Sequence, residues 1–534
     1  PPPVSEATAG APIPPRASWA GPEMAVLAAR FGDSYRWMVT IPAMIGTIAT
    51  ILSSTIANVA LPEIMGAYGM GQDHAQLVAT AFLASVTGTM LLNGWLVDRF
   101  GFRLTYSAAM LIFIFGSLLS GFAPEEGTLI LGRVLQGAAA GMVQPLGMQI
   151  IFMVYPPEKR GSAMGLYAVG VVLAPALGPA FGGLMVDGFG WRSVFFLAIP
   201  FAMIGLILGL IVMPGPAREG GKRRFDAPGF ILLIVALFAL LTGLSSGQRE
   251  GWQSDAVVTE LSIAAAAAIA FVWWEWRSPY AMLNPRLFTV RGFACSSLVA
   301  LVYGATLFGS VYLLPLFVQT VQGYSATRAG LVLMPAGLAL LLVFPIAGRI
   351  ADKTEPWLPI GIGLILFAYS TWLMVDVGTD TPFWTLAIWI LIGRIGFGIA
   401  MPSMNAGALR SLPPQWVGQG SGAINFARQF GGAMGVNLLS IYLERHTQLY
   451  AQALTATQEG RGNTADWLRD AERLLAQEGF ADGIRQALAQ DYLGRVVLTQ
   501  ASMLAFRDTF TVLVLICLLA LVVVAVMRGA KRPG

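Results

Sequence analysis

Charged residues are scarce in this chain of 534 residues. Only 12% of the residues are Asp, Glu, Lys or Arg, which is about half of the roughly 25% that is usual in soluble domains. The share of hydrophobic residues is 56%, and the mean hydropathy is +0.67. Apolar runs of about 20 residues, each long enough to cross a bilayer as a helix, recur from end to end. The composition therefore excludes a soluble multidomain protein and predicts a polytopic membrane protein.

Histidine and cysteine are nearly absent. The two histidines, His74 and His446, fall on predicted external segments, and the two cysteines, Cys295 and Cys517, lie in separate apolar runs. The sequence has no clustered carboxylates or thiolates with metal-ligand spacing and no P-loop lysine motif. We therefore expect no metal site, no disulfide bond and no ATP-driven step. A membrane enzyme is disfavoured, and so is a scaffold or receptor without transport.

The apolar runs give about fourteen spans. Because lipid offers no hydrogen-bond partner to the backbone, these spans are predicted to be helices. With an even number of spans, most basic residues of the short loops fall on one side, among them Arg99, Lys159, Lys353 and Arg410. The positive-inside rule then places both termini in the cytoplasm.

Two segments, 94–103 and 348–353, repeat one pattern in the two halves of the chain. In each, a glycine precedes an aspartate by four positions, so the two lie on one helix face where a span reaches the interface. Small residues allow close helix contact, and charges at such a seam can pair and separate. The alternative is that these charges only set topology. The predicted gating residues are Gly94, Asp98, Arg99, Gly101, Arg103, Gly348, Asp352 and Lys353.

Corresponding spans of the two halves each contain an arginine, Arg133 in the first half and Arg394 in the second. A charge at that depth costs several kcal/mol unless it faces water or a partner, so a buried charge indicates function. A structural role, in which Arg133 braces neighbouring loops, is the alternative.

The fifth predicted span is rich in glycine and proline. Glycines four positions apart give a flat contact face, and prolines remove backbone hydrogen bonds and kink a helix. The residues of this motif are Gly170, Pro175, Gly178, Pro179, Gly182 and Gly183.

In these three motifs the chain resembles the major facilitator superfamily. Segment 94–103 is similar to the loop signature of that family, although Phe102 stands where a basic residue is frequent. Arg133 resembles the arginine of the fourth helix that is associated with proton coupling, and the fifth span resembles the antiporter motif of exporters. Further stretches narrow the resemblance to the fourteen-span drug:proton antiporters, similar to the inner-membrane pumps of tripartite multidrug exporters: residues 52–62, 244–252, 426–432 and 500–510.

The resemblance implies an all-α major facilitator fold with two six-helix halves, 38–213 and 293–534. A linker with two extra transmembrane helices, 214–292, lies between them, and a flexible cytoplasmic tail, 1–37, precedes them. It also implies a secondary transporter in the bacterial inner membrane that uses the proton gradient and no cofactor.

The polar external segment 444–505 is the longest predicted region outside the membrane. Apolar residues at helical spacing within it predict amphipathic helices. The resemblance implies a periplasmic adaptor and an outer-membrane channel as partners, and this segment is the candidate docking region. The alternative is a solvated helical cap on the bundle.

One departure from the family pattern affects the mechanism. Ser53 stands where the first span usually carries an aspartate, and serine does not titrate in the physiological range. Either an acid at a helix end, with Glu63 as the first candidate, has taken over proton binding, or coupling is weak and a negatively charged substrate meets the deep arginines.

We therefore predict an exporter of hydrophobic or amphipathic compounds by alternating access, with proton antiport, and keep a weakly coupled or uncoupled facilitator or importer of an anionic amphiphile as the alternative. Polar, aromatic and methionine side chains suit varied substrates in a cavity. The predicted substrate-binding residues are Asn58, Gln144, Met148, Gln149, Tyr312, Arg394, Met401, Asn405, Asn425 and Arg428.

Overall fold

The structure is a computed structural model that describes residues 22–70, 72–215, 224–458 and 463–528. Within these ranges the chain forms α-helices, short 3-10 turns and no strand. The all-α prediction is confirmed. The helices are α1 Pro22–Phe31, α2 Ser34–Tyr68, α3 Gln72–Thr89, α4 Asn93–Gly121, α5 Glu126–Val154, α6 Arg160–Phe189, α7 Ser193–Phe196, α8 Ile199–Val212, α9 Ala227–Glu250, α10 Asp255–Arg277, α11 Arg291–Thr320, α12 Ala326–Lys353, α13 Trp357–Leu373, α14 Phe383–Arg410, α15 Val417–Ala456, α16 Asn463–Gln477 and α17 Asp482–Arg528.

Eleven helical segments among the described residues are long and apolar enough to cross a membrane. One of them, Leu77–Gly121, runs from α3 into α4 and is broken at Gly101, where φ is 77°. Glycine adopts this backbone conformation without the steric penalty that other residues suffer. The long helices α6 and α15 are not among the eleven segments. The count of fourteen spans stays a prediction.

Two groups of helices form the bundle. In the first, α2 packs against α5, α6 and α8, and α4 packs against α5 and α8. In the second, α11 packs against α15 and α17, and α14 packs against α12 and α13. The groups meet where α6 contacts α12 and where α15 contacts α4 and α5. We call them the N-half and the C-half.

The helices α9 and α10 pair with each other beside α3. A side chain caps the start of each of these helices. Asp226 accepts a hydrogen bond from the Gly229 amide at 3.1 Å, and Ser254 accepts one from the Val257 amide at 3.3 Å. Such caps satisfy amides that have no partner inside the helix. The pair forms the extra hairpin that the sequence places between the halves.

Part of the segment expected to be a flexible tail is helical. Helix α1 ends at Phe31 and α2 begins at Ser34. Glu23 of α1 binds the Arg103 guanidinium at 2.5 Å and the Gly215 amide at 2.7 Å. These bonds attach α1 to the N-half at the end that carries the basic short loops with Arg99, Lys159, Lys353 and Arg410, which we call the basic-loop end.

Candidate functional site

The carboxylate of Asp352, at the end of α12, joins the two halves at the basic-loop end. Its Oδ1 accepts a hydrogen bond from the Gly161 amide at 2.5 Å. Its Oδ2 accepts from the amide of Ser162 at 2.9 Å and from the Ser162 hydroxyl at 2.5 Å. Both residues belong to the first turn of α6, where unpaired amides and the helix dipole favour a negative charge. We call this the Asp352 clamp.

Arg410 pairs with Asp352, and Arg160 immediately precedes Gly161 at the start of α6. Arg410 of α14 donates to Asp352 Oδ1 at 3.1 Å. Arg160, at the start of α6, has its guanidinium 4.3 Å from the centre of the Phe152 ring. Burial, followed by the charge of Arg410, lowers the pKa of Arg160 to about 10. It therefore stays protonated at neutral pH, and the carboxylate of Asp352 lies between the Arg410 guanidinium and the N-terminus of α6.

Gly348 explains why α12 and α6 approach so closely. A Cβ atom on Gly348 would stand 2.8 Å from the Gly161 carbonyl oxygen and 3.2 Å from the Cα of Gly165. Real Cβ atoms do not tolerate backbone neighbours at less than 3 Å. A side chain at position 348 would force the helices, and the Asp352 clamp with them, apart.

The first copy of the gate motif makes a second junction between the halves. Asn93 donates to the Gln149 side chain at 2.9 Å and to the Gly418 carbonyl of α15 at 3.1 Å. A Cβ on Gly94 would stand 3.0 Å from the Gln419 amide nitrogen. Gln149, predicted to bind substrate, therefore belongs to this junction.

The charged residues of the two copies differ in their surroundings. Asp98, Arg99 and Lys353 are exposed, whereas the side chain of Asp352 is only 10% exposed. Arg103 binds Glu23 and the Met213 carbonyl, so its contacts lie within the N-half. The structure thus brings Gly348 and Asp352 to a contact between the halves and places Arg103 elsewhere.

Arg133 is almost completely buried, with 1% of its surface exposed. It donates to the Val78 carbonyl at 3.2 Å and to the Gln136 side chain at 2.9 Å. The guanidinium lies 4.1 Å from the centre of the Phe82 ring. Its Nη1 is also 3.5 Å from the Ser53 hydroxyl. Ser53, where the resemblance led us to expect an aspartate, therefore faces the buried arginine.

Arg428 lies where the halves meet in the interior. It donates to Asn425 Oδ1 at 2.6 Å, and the Asn425 amide is 3.1 Å from the sulfur of Met148 in α5. The buried side chains of Tyr167 and Tyr303 lie close enough to interact electrostatically with Arg428. Among the described residues, no carboxylate pairs with Arg428. A neutral polar group and two hydroxyl-bearing rings leave its positive charge uncompensated.

Arg394 borders a small cavity in the C-half. The cavity is lined by Ser310, Ser370, Thr371 and the side chain of Arg394. The guanidinium is 5.8 Å from the centre of the Phe397 ring. It makes no hydrogen bond or ion pair within the part of the chain that the structure describes.

The amino-acid sequence identifies the family to which the chain belongs. The sequence model of the Major Facilitator Superfamily matches residues 43–436. The chain is a member of this superfamily. It is therefore a secondary transporter and not an enzyme, and the predicted major facilitator fold is confirmed.

Several bacterial relatives are named as exporters. The multidrug export protein EmrB of Haemophilus influenzae is 31% identical over 423 residues, which cover 77% of this chain and 82% of that protein. EmrB of Escherichia coli K12 is 29% identical over 486 residues, with 89% and 91% covered. The uncharacterised transporter YhcA of Bacillus subtilis is 29% identical, with 92% of each chain covered.

Solved structures share the fold at low identity. The human organic anion transporter MFSD10 aligns with a TM-score of 0.58 and 14% identity, over 90% of this chain and 99% of that one. The proton:xylose symporter XylE aligns with a TM-score of 0.55 and 14% identity, with 90% and 95% covered.

The other predicted residues of this superfamily member are scattered. Glu63 is exposed on α2, ten residues from Ser53 and hence about 15 Å along the helix. Met401 and Asn405 are buried in α14, and the Asn405 amide nitrogen has no partner within the described ranges. Gln144 is buried in α5, and Tyr312 reaches Ser440 at 3.2 Å. The side chains of Asn58, Pro175 and Pro179 lie outside the described residues.

The antiporter motif packs α6 against α2. A Cβ on Gly182 would stand 3.3 Å from the side chains of both Ile56 and Val59, and one on Gly178 would overlap Thr55. At Gly170 the neighbour is Met44, also at 3.3 Å, whereas Gly183 faces open space.

Sequence reasoning missed the partners of the clamp. Gly161, Ser162 and Arg410 were not predicted as site residues, although the run Lys159-Arg160-Gly161-Ser162 marks a helix start beside basic residues. A small residue and a hydroxyl at a helix N-terminus are the signal that could have indicated an acceptor from the other half.

The external segment consists of helical extensions. Helix α15 continues to Ala456, and α17 begins at Asp482. Helix α16 packs on α17, with the rings of Trp467 and Tyr492 stacked at 5.6 Å. Leu474 and Tyr492 are about 60% exposed. The predicted amphipathic helix is present, and it leaves apolar side chains uncovered.

Proposed function

We propose that this transporter exports amphipathic compounds by alternating access and that the compounds it prefers carry a negative charge. The observation that carries the proposal is the sign of the buried charge. Within the described part of the two halves, the buried ionised side chains are Arg133 and Arg428, and neither contacts a carboxylate. An anion gains much in a low-dielectric site that already holds an unpaired cation.

Arg428 is the proposed partner of the anionic group. It lies between the halves, beside the flexible side chain of Met148, which suits apolar chains of varied shape. Long-chain carboxylates such as fatty acids combine these properties. The multidrug exporters among the relatives support export of several compounds rather than one.

The Asp352 clamp is the proposed gate. With the positive-inside orientation, the basic-loop end faces the cytoplasm, so the described contacts close the cytoplasmic side. Opening would require the carboxylate to leave the α6 N-terminus and Gly348 to separate from Gly161. Substrate would then enter from the cytoplasm or the inner leaflet.

Proton-driven antiport is the proposed energy source, and an uncoupled facilitator or importer is the second candidate. The specific observation in favour of the second is Ser53, which faces Arg133 without a titratable group. Transport of a long-chain carboxylate into everted proteoliposomes, with protein-free liposomes as the blank, tests the two. Accumulation above equilibrium that needs a proton gradient supports antiport, mere equilibration supports the facilitator, and no protein-dependent movement contradicts both.

Replacing Ser53 with aspartate should strengthen proton coupling, because it places a titratable group beside Arg133. The carboxylate would reach Arg133 Nη1, now 3.5 Å from the hydroxyl, and a hydrogen bond to a charged group contributes about 1.5 to 3 kcal/mol. We expect a higher thermal unfolding midpoint and stronger stimulation of transport by a proton gradient. The control is Ser53→Asn, because asparagine has the same size as aspartate but carries no charge. Equal behaviour of the two variants would contradict the prediction.

A periplasmic adaptor with an outer-membrane channel is the proposed partner of the external segment. The uncovered Leu474 and Tyr492 supply an apolar surface on a polar helix pair. In the variant Leu474→Asp with Tyr492→Ser, we expect substrate transport in proteoliposomes to be unchanged and co-purification of the adaptor from its native membrane to be lost. Retained co-purification would favour the solvated cap.

A further inference from the structure

Two buried acids lie at the base of the extra hairpin, outside every motif discussed so far. Asp226 caps α9, and Glu275 lies near the end of α10; each is only 3% exposed. Asp226 Oδ1 accepts from the Trp274 ring nitrogen at 2.7 Å and from the Gly229 amide at 3.1 Å. Glu275 Oε2 accepts from the Leu283 amide at 2.9 Å. One oxygen of each carboxyl group is therefore held by N–H donors.

The remaining oxygens of the two carboxyl groups lie beside the same point, next to Gly229. Asp226 Oδ2 and Glu275 Oε1 are buried and have no hydrogen-bond partner among the described residues. Both stand 2.8 Å from the point that a Cβ on Gly229 would occupy, so the glycine leaves them an open space. Two negative charges in such a place repel strongly, and a buried charge without a partner is costly. One proton between the oxygens replaces the repulsion by a hydrogen bond.

Among the residues that the structure describes, no basic side chain pairs with Asp226 or Glu275. Of the described cations on the same elements, Arg277 stacks on Trp273 at 4.4 Å, and Arg224 and Arg286 are exposed. Apolar side chains from α9, α10, the segment after α10 and α15 pack together in one hydrophobic cluster: Leu233, Phe271, Met282 and Phe426. A metal cation needs more oxygen ligands than these two groups supply, and the described residues contain no cluster of three acids, histidines or cysteines.

The acid pair is attached to the junction between the halves. The segment after α10 binds Glu275 through the Leu283 amide, and its Ala281 carbonyl lies 3.5 Å from the side-chain nitrogen of Gln419. Gln419 in turn packs against Gly94. Three successive contacts thus connect Glu275 to the first copy of the gate motif.

We propose that Asp226 and Glu275 form a proton-binding site whose occupancy holds the extra hairpin against the junction of Gly94 and Gln419. When the proton leaves, the two carboxylates repel, Glu275 pulls on the segment around Leu283, and the contact with Gln419 weakens. Acidity at the basic-loop end therefore favours the closed arrangement. This link to gating rests on the proposed alternating-access function, whereas proton binding itself does not.

Infrared difference spectroscopy of the full chain in lipid nanodiscs tests proton binding directly. We expect the band of one protonated carboxyl group at neutral pH in the wild type and its loss in both Asp226→Asn and Glu275→Gln. Asp255→Asn, which changes an exposed acid of α10, should keep the band. No band in the wild type, a band that persists in both variants, or its removal by sodium or potassium would overturn the proposal.

The effect of the acid pair on the gate is measured as the distance between spin labels at Lys159 and Leu358, one in each half. This distance reports the closed and open populations. In the wild type the ratio of closed to open populations should change with pH, by up to about tenfold per pH unit, the limit for one proton. In Asp226→Asn and Glu275→Gln the new amide donates to the remaining carboxylate, so both should stay closed at every pH. Variants as pH-sensitive as the wild type would overturn the link, and this outcome is independent of whether a carboxylate is transported.

Discussion

Transport of a long-chain carboxylate should fall roughly 10- to 100-fold when Arg428 is replaced by glutamine, because a hydrogen bond to a charged group contributes about 1.5 to 3 kcal/mol. Arg428 has one described protein partner for its charge-assisted bonds, the neutral side chain of Asn425. Its loss therefore removes the attraction for an anion without leaving a buried acid unpaired. The measurement is the initial rate of uptake into everted proteoliposomes.

The matched control is Arg495→Gln. Arg495 lies on the external part of α17 and pairs with Asp491 four residues earlier, with both side chains largely exposed. Exposed pairs of this kind contribute little, so transport should be unchanged. Uptake of a neutral amphiphile should survive in Arg428→Gln. An equal loss for the neutral and the anionic compound would mean that Arg428 supports the bundle rather than the substrate.

Asp352→Asn should lower net transport by a similar factor, because it destabilises the closed state rather than substrate binding. The substitution turns one acceptor oxygen toward α6 into an NH2 group, which would face the amides of Gly161 or Ser162 donor to donor. It also removes the ion pair with Arg410. A loss of about 2 kcal/mol from the closed state shifts the populations about 30-fold. We expect longer distances between spin labels at Lys159 and Leu358 and a roughly tenfold or greater loss of net transport.

Asp376→Asn is the control for this change. Asp376 pairs with Arg507 inside the C-half, and its side chain is 80% exposed. Distances and transport should stay as in the wild type, because the pair is solvated and does not cross the seam. Binding of substrate by Asp352→Asn should persist. If the label distances are unchanged in Asp352→Asn, the clamp does not hold the closed state.

Patterns that depend on local periodicity could be predicted from the sequence. Long apolar runs predicted the helices, and the spacing of Gly348 and Asp352 predicted one helix face at the end of a span. The partner of that face could not be predicted, because Gly161 and Ser162 lie nearly 200 residues earlier and only the packing of α6 on α12 brings them together. Arg103 shows the converse, since its motif suggested a seam and its contacts lie within the N-half.

The site shows the same division. Burial of Arg133 followed from its place in an apolar span, and the absence of an aspartate beside it followed from Ser53. That Ser53 itself faces Arg133 required the crossing of α2 and α5. Glu63 was chosen from sequence as a spare acid near the first span, and its exposed position gives it no contact with Arg133. The pairing of the two acids at the extra hairpin could not be predicted, because Asp226 and Glu275 are 49 positions apart and each resembles an ordinary residue at a helix end.

The central claim is that the transporter prefers negatively charged amphiphiles. It is tested most directly by the binding of three amphiphiles that share the same alkyl chain and differ in the charge of the head group. The purified protein is titrated calorimetrically with a carboxylate, a neutral amide and a quaternary ammonium compound of equal chain length. The account predicts that the carboxylate binds at least about tenfold more tightly than the amide, that the ammonium compound binds most weakly, and that Arg428→Gln removes the difference. Tighter binding of the ammonium compound by the wild type would contradict the account.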